Sequence, residues 1–160
     1  MEIAKEKKMI GLSIRVKNEP DRFLSKIFHG IDLTKYIWEI NEDDIMYTEN
    51  NKHMQGLFEN DVMSGEEFFK CISKESYYLI FADIKAYLTG SNCVEINTYN
   101  DYLASDCQII LLCADSTFID FYSKDIEILD QVHKNCVYNN FEQITIITED
   151  NDSRTRMSVW

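Results

Sequence analysis

Three patterns in the chain predict an α+β fold, a mixed and largely antiparallel sheet with about four helices packed on it. Residues Ile10 to Val16 alternate apolar and polar side chains. Tyr77 to Ala82 and Cys107 to Cys113 are apolar at consecutive positions, and residues 123–139 carry an apolar stripe at helical spacing.

Taken in order, Ile10, Leu12, Ile14 and Val16 form one face of a strand whose other face, Gly11, Ser13, Arg15 and Lys17, meets water. Pro20 then stands where a first helical turn tolerates it. Phe23, Ile27 and Phe28 recur at helical spacing, and Gly30 stops the helix. Tyr36 to Ile40 and Ile45 to Tyr47 read as two strands of a hairpin, separated by a turn at Asn41-Glu-Asp-Asp44 whose polar side chains hydrogen-bond locally. Ser64-Gly-Glu-Glu67 has the spacing of a capping box and starts a second helix, with Glu66 and Glu67 at its positive end and Lys70 and Lys74 toward its negative end.

The consecutive apolar runs at Tyr77 and Cys107 suit central strands covered on both faces. Between them, Thr98 to Ala104 is a short helix with Thr98 and Asp101 as an acidic variant of the capping box. Ala114-Asp-Ser-Thr117 is a tight turn joining Leu111-Leu-Cys113 to Phe118-Ile-Asp-Phe-Tyr122. The last helix, residues 123–139, places Ile126, Leu129, Val132, Cys136 and Val137 on its stripe, with Asp125, Glu127, Lys134 and Asn135 mainly outside. Ile144 to Thr148 returns as a strand. This organisation implies a flexible basic N-terminus over residues 1–9 and a single domain over residues 10–160.

The net charge of −12 is unevenly spread. Residues 1–35 carry 8 Lys and Arg against 5 Asp and Glu, a net of +3, which leaves residues 36–160 with 8 against 23, a net of −15. Such a surface repels phosphate, because general binding to nucleic acid requires cations that displace condensed counterions. The longest mainly apolar run, Ile109 to Ala114, is far below the ~20 residues of a membrane-spanning helix. The N-terminus lacks the apolar core and cleavage site of a signal peptide. Cys71, Cys93, Cys107, Cys113 and Cys136 are odd in number and irregularly spaced, as reduced core residues are, and the expected compartment is the cytoplasm.

Tyr77-Tyr-Leu-Ile-Phe-Ala-Asp-Ile-Lys-Ala86, Ser105-Asp-Cys-Gln-Ile-Ile-Leu-Leu112 and Asp152-Ser-Arg-Thr-Arg-Met-Ser-Val-Trp160, with the opening strand and Ile37-Trp38, carry a resemblance. The chain resembles an uncharacterised family of small proteins from Gram-positive bacteria, catalogued as a domain of unknown function, from about Ile10 onward. The resemblance implies no activity, cofactor or catalytic residue. The lysine-rich start and Glu42-Asp43-Asp44 lie outside the matched segments.

Chemistry-bearing motifs are sparse. The sequence has no Gly-x-Ser-x-Gly elbow, no Cys-x-x-Cys pair and no glycine-dense phosphate loop. Neither Glu42-Asp-Asp44 nor Glu149-Asp-Asn-Asp152 has the central glycine and closing glutamate of a calcium loop. His29, His53 and His133 read as ordinary surface or core residues. Asp83, which interrupts an apolar strand two positions before Lys85, reads as a strand end that satisfies backbone groups or pairs with a cation. No catalytic residue, metal ligand or cofactor is assigned.

The expected function is that of a small acidic intracellular binding protein of inhibitor or immunity type. It would neutralise a toxin, nuclease or defence effector by association with a basic protein surface. Trp38, Glu42, Asp43, Asp44, Tyr47, Arg154, Arg156 and Trp160 are the candidate partner-binding residues. Arg154 and Arg156 are also read as closing the C-terminus onto the acidic body, as an edge strand. The alternative is a small enzyme or ligand-binding domain in which dispersed carboxylates such as Asp83 and Asp115 meet in a cleft. Assembly into a homo-oligomer stays open.

Overall fold

A computed structural model describes residues 8–160, so residues 1–7 of the expected basic N-terminus lie outside the described residues. The elements are β1 (Met9–Arg15), α1 (Phe23–Ile27), a 3-10 turn (Leu33–Lys35), β2 (Tyr36–Glu49), β3 (Lys52–Gln55), β4 (Val62–Ser64), α2 (Gly65–Ile72), β5 (Tyr77–Leu88), α3 (Tyr99–Ala104), β6 (Cys107–Ala114), β7 (Phe118–Ser123), α4 (Ile126–Tyr138) and β8 (Glu142–Thr148). One sheet runs β3-β2-β5-β6-β7-β1-β8, with β4 also against β2, and its strand pairs are antiparallel. No described helix is long and apolar enough to cross a membrane.

The fold is α+β, and β5 and β6 are central as their continuous apolar runs require. Both faces of the sheet are covered. On one, α1, α2 and α4 pack Phe23, Leu24, Ile27, Phe68, Leu129 and Val132 against Leu12, Ile14, Trp38, Ile84 and Leu111. On the other, Tyr102 of α3, Ile96 and the C-terminal Met157 bury Ile10, Tyr87, Ile110, Leu112 and Tyr122.

The expected hairpin at Asn41-Glu-Asp-Asp44 is not formed, and β2 runs through it without a break. Carboxylates favour turns when they hydrogen-bond nearby backbone, whereas these find partners elsewhere in the fold. The chain reverses instead at Asn50 (φ 51°) and Asn51 (φ 64°), a two-residue left-handed turn between Glu49 and Lys52. Asparagine tolerates that conformation, and its handedness matches strand twist. Asp115 (φ 51°) and Ser116 (φ 68°) are also left-handed, in a three-residue turn between Ala114 of β6 and Phe118 of β7, where the sequence places it.

Thr98 and Asp101 form both halves of the capping box on α3. Ser64 forms its half on α2, accepting from the Glu67 amide at 3.2 Å. On α4 the buried stripe is Ile128, Leu129, Val132, Asn135 and Cys136, whereas Ile126 and Val137 are exposed. Asn135 faces inward because its amide nitrogen donates to the backbone oxygens of Ile27 and His29, groups left unpaired where α1 ends. At the sheet margin, Asn151 donates to the Ile146 oxygen and accepts from the Thr148 amide, both on β8.

Gly65, the first residue of α2, lies against the 3-10 turn so closely that an added Cβ would stand 2.1 Å from the Leu33 oxygen. Alanine ordinarily favours a helix over glycine. Gly65→Ala is therefore expected to lose about 1–3 kcal/mol of stability through overpacking, measured by urea unfolding. A variant as stable as the wild type would show that the two backbones separate at little cost.

Candidate functional site

Strand register decides which polar side chains share a face. On β2, Ile40 pairs with Ile84 and Glu42 with Asp83, so Asn41 is an extra residue. On β5, Leu79 pairs with Ile45 and Phe81 with Asp44, so Ile80 is extra. Each insertion exchanges the faces of the residues beyond it. Phe81, Asp83, Lys85 and Tyr87 therefore lie on the face away from α1, α2 and α4, beside Glu39, Glu42 and Asp44 of β2.

The acidic triplet is split by this alternation. Asp43 turns toward the helices, where its two oxygens accept the amides of Leu57 and Phe58, each at 2.8 Å. Burial raises its carboxyl above the ordinary range against the pull of those amides, and Asp44 and Glu42 add to the rise. Asp44 accepts from Gln55 at 3.2 Å. Glu42 accepts the indole N–H of Trp160 at 2.8 Å.

The C-terminal residues reach Glu42 by crossing the second face of the sheet. They form no strand. Arg154 donates from Nε and Nη2 to Asp120 Oδ2 on β7, at 3.0 and 2.7 Å, and from Nη1 to the Arg156 and Ser158 oxygens. Asp152 accepts the Tyr122 hydroxyl, and the Met157 amide donates to the Asn97 oxygen. Trp160 then rests on the Phe81 ring with centroids 4.7 Å apart, yet stays 64% exposed.

Beneath Trp160 lies a cleft of about 450 Å³ whose polar wall includes Glu39, Asp83, Lys85, Cys93 and Glu95. Lys85 Nζ donates to Asp83 Oδ1 at 2.6 Å, and each side chain is only 3% exposed. Burying such a pair is costly unless its geometry is good, so packing alone gives little reason for it. Burial, and after it Glu39, push the Cys93 thiol up, which leaves that cysteine in its unreactive protonated form.

The candidate residues thus fall into three groups. Glu42, Asp44 and Trp160 are brought together on one face, with Arg154 and the exposed Arg156 on the segment that delivers Trp160. Trp38, by contrast, is fully buried, stacked on Phe68 at 4.0 Å with its indole N–H on the Leu33 oxygen, so it presents nothing to a partner. Asp43 and Tyr47 face the helices; the Lys74 ammonium sits 4.5 Å from the Tyr47 ring centroid. Asp83 does not end its strand, which continues to Leu88. Asp115 lies in the β6–β7 turn and lines no part of the cleft. Sequence reasoning missed Glu39 and Glu95; Lys85 carried a signal in its two-residue spacing from Asp83. Among the described residues no His, Cys, Asp and Glu converge as a metal site would require.

A protein-family profile described as "Protein of unknown function (DUF2691)" matches residues 9–158. A Bacillus subtilis (strain 168) protein, described as "Uncharacterized protein YncE", is 29% identical over 150 residues, covering 93% of this chain and 98% of that protein. No solved structure matches.

Two outcomes are expected. Because the folded chain holds the Asp43 proton more tightly than the unfolded chain, its contribution is complete below the unfolded pKa and lost as pH rises through the raised one. The stability of wild type minus Asp43→Asn should therefore shrink from about pH 3 to about pH 6 in urea unfolding. A gap that widens with pH would contradict burial as the dominant influence. Separately, Asp83→Leu should cost about 3–5 kcal/mol by stranding Lys85, and adding Lys85→Met should recover most of it. A double variant no better than the single would mean the pair is needed for packing.

Proposed function

The chain belongs to the family described as a protein of unknown function, DUF2691, and since that membership assigns no activity we propose one from the geometry: an acidic cytoplasmic binding protein of inhibitor or immunity type, neutralising a basic toxin, nuclease or defence effector by stoichiometric association. The observation that carries this reading is Trp160. Its ring is fixed by Glu42 and Phe81 while remaining mostly exposed, and it stands among Glu39, Glu42, Asp44 and Glu95.

A large aromatic ring already held in place loses little freedom on binding, and tryptophan is a common anchor of protein interfaces. Carboxylates around it raise the rate of encounter with a basic surface and disfavour acidic competitors. The net charge of −12 extends the same attraction over longer range. Five free cysteines suit a reducing compartment.

A second reading, a small enzyme or ligand-binding domain, is favoured by the buried Asp83–Lys85 pair on the cleft wall. Its discriminating measurement is thermal stabilisation by metabolites, since a ligand that binds only the folded state raises the melting temperature.

For the binding reading, a basic protein retained by the wild type and released by Glu42→Lys with Asp44→Lys is purified and its kinetics measured. Glu42→Gln with Asp44→Asn should slow association several-fold at low salt and little at high salt. Trp160→Ala should speed dissociation by about tenfold or more. Rates unchanged by all three substitutions would overturn the assignment of this face.

A further inference from the structure

Deepening the reading above, on which it rests, we propose that the cleft beneath Trp160 is a subsite for one guanidinium group, the head of an arginine side chain carried by the basic partner. The charges of the cleft come first: Glu39, Asp83 and Glu95 line it against the single ammonium of Lys85. Lys85 is bound to Asp83 Oδ1, and Asp83 Oδ2 has no hydrogen-bond partner among the described residues. No described side-chain nitrogen or oxygen that is shut off from solvent lacks a partner, so this second oxygen opens onto the cleft. A carboxylate oxygen on a side chain 97% buried calls for a donor that reaches in.

The walls narrow the choice of donor. Trp160 spends its indole N–H on Glu42 and sets one ring face against Phe81, which leaves its other face, rather than its polar edge, for a ligand. A flat cation over an indole is stabilised by the ring quadrupole. Val94 and Ile96, on the same cleft, supply apolar surface for an aliphatic stem. A guanidinium meets these demands better than an ammonium. It is planar, more weakly hydrated, and has five donors spread in a fork that reaches two carboxylates at once.

The test follows the Trp160 indole N–H resonance of the full chain during titration with arginine amide and with citrulline amide, which shares its α-amino group but has a ureido side chain of nearly the same shape without the guanidinium charge. The buried Trp38 indole serves as the internal control for folding. Expected is a saturable Trp160 shift with arginine amide, at least tenfold weaker with citrulline amide, while the Trp38 signal stays in place. Glu39→Gln with Glu95→Gln should weaken the arginine response about tenfold with Trp38 again unmoved. An equal response to citrulline amide, no response to arginine amide, or an arginine response unchanged in the double variant would overturn the subsite.

Failure of the subsite and failure of the binding reading are distinguishable. Loss of the arginine response beside retained capture dependent on Glu42 and Asp44 removes the subsite alone. A saturable arginine response in a chain that binds no basic protein keeps the guanidinium site and removes the protein partner.

Discussion

Because successive side chains of a strand point to opposite faces, the extra residues Asn41 on β2 and Ile80 on β5 determine what this protein can present. Before Asn41, Trp38 and Ile40 enter the helix-covered core; after it, Asp43 and Ile45 do. Before Ile80, Tyr77 and Leu79 enter that core; after it, Ala82, Ile84 and Ala86 do, which sends Asp83 and Lys85 to the other side. The two insertions occur at different points along the pair. Between them they collect Glu39, Glu42, Asp44, Phe81, Asp83 and Lys85 on one face and exclude Asp43.

What could be read in advance follows the same logic. The α3 cap and the Asp115–Ser116 turn are local: their hydrogen bonds and dihedral angles involve residues at most a few positions apart, so spacing alone reveals them. The acidic stretch of β2 misled for the opposite reason. Asp44, Asp43 and Glu42 find their partners 11, 14 and 15, and 118 residues away, and no local pattern announces such distances. The inward face of α4 departs from its apolar stripe at Asn135, a polar residue buried to complete another helix. Asp83 and Lys85 were legible as neighbours on one strand face, whereas Glu39 depends on cross-strand register and Glu95 on the path of a loop.

The C-terminal residues share with α3 the covering of the second sheet face. Burial of Met157 and the Arg154–Asp120 and Asp152–Tyr122 contacts hold the backbone down, while hydrogen bonding at Glu42 sets the final ring. Burial and, secondarily, Asp152 push the Tyr122 phenol up, keeping it a hydrogen donor to that carboxylate at any physiological pH. One peptide segment thus completes a hydrophobic layer and positions the surface feature on which the proposed recognition depends.

The hook that Asn151 places on β8 has a different consequence. A terminal strand exposes backbone donors and acceptors that invite another molecule to zip alongside, the first step toward fibrous aggregates. By occupying the Ile146 oxygen and the Thr148 amide, the asparagine closes that template over the C-terminal end of the strand. At that end of the outermost strand, fewer open backbone groups remain for another molecule to pair with, the Asp152 amide taking the Thr148 oxygen as well.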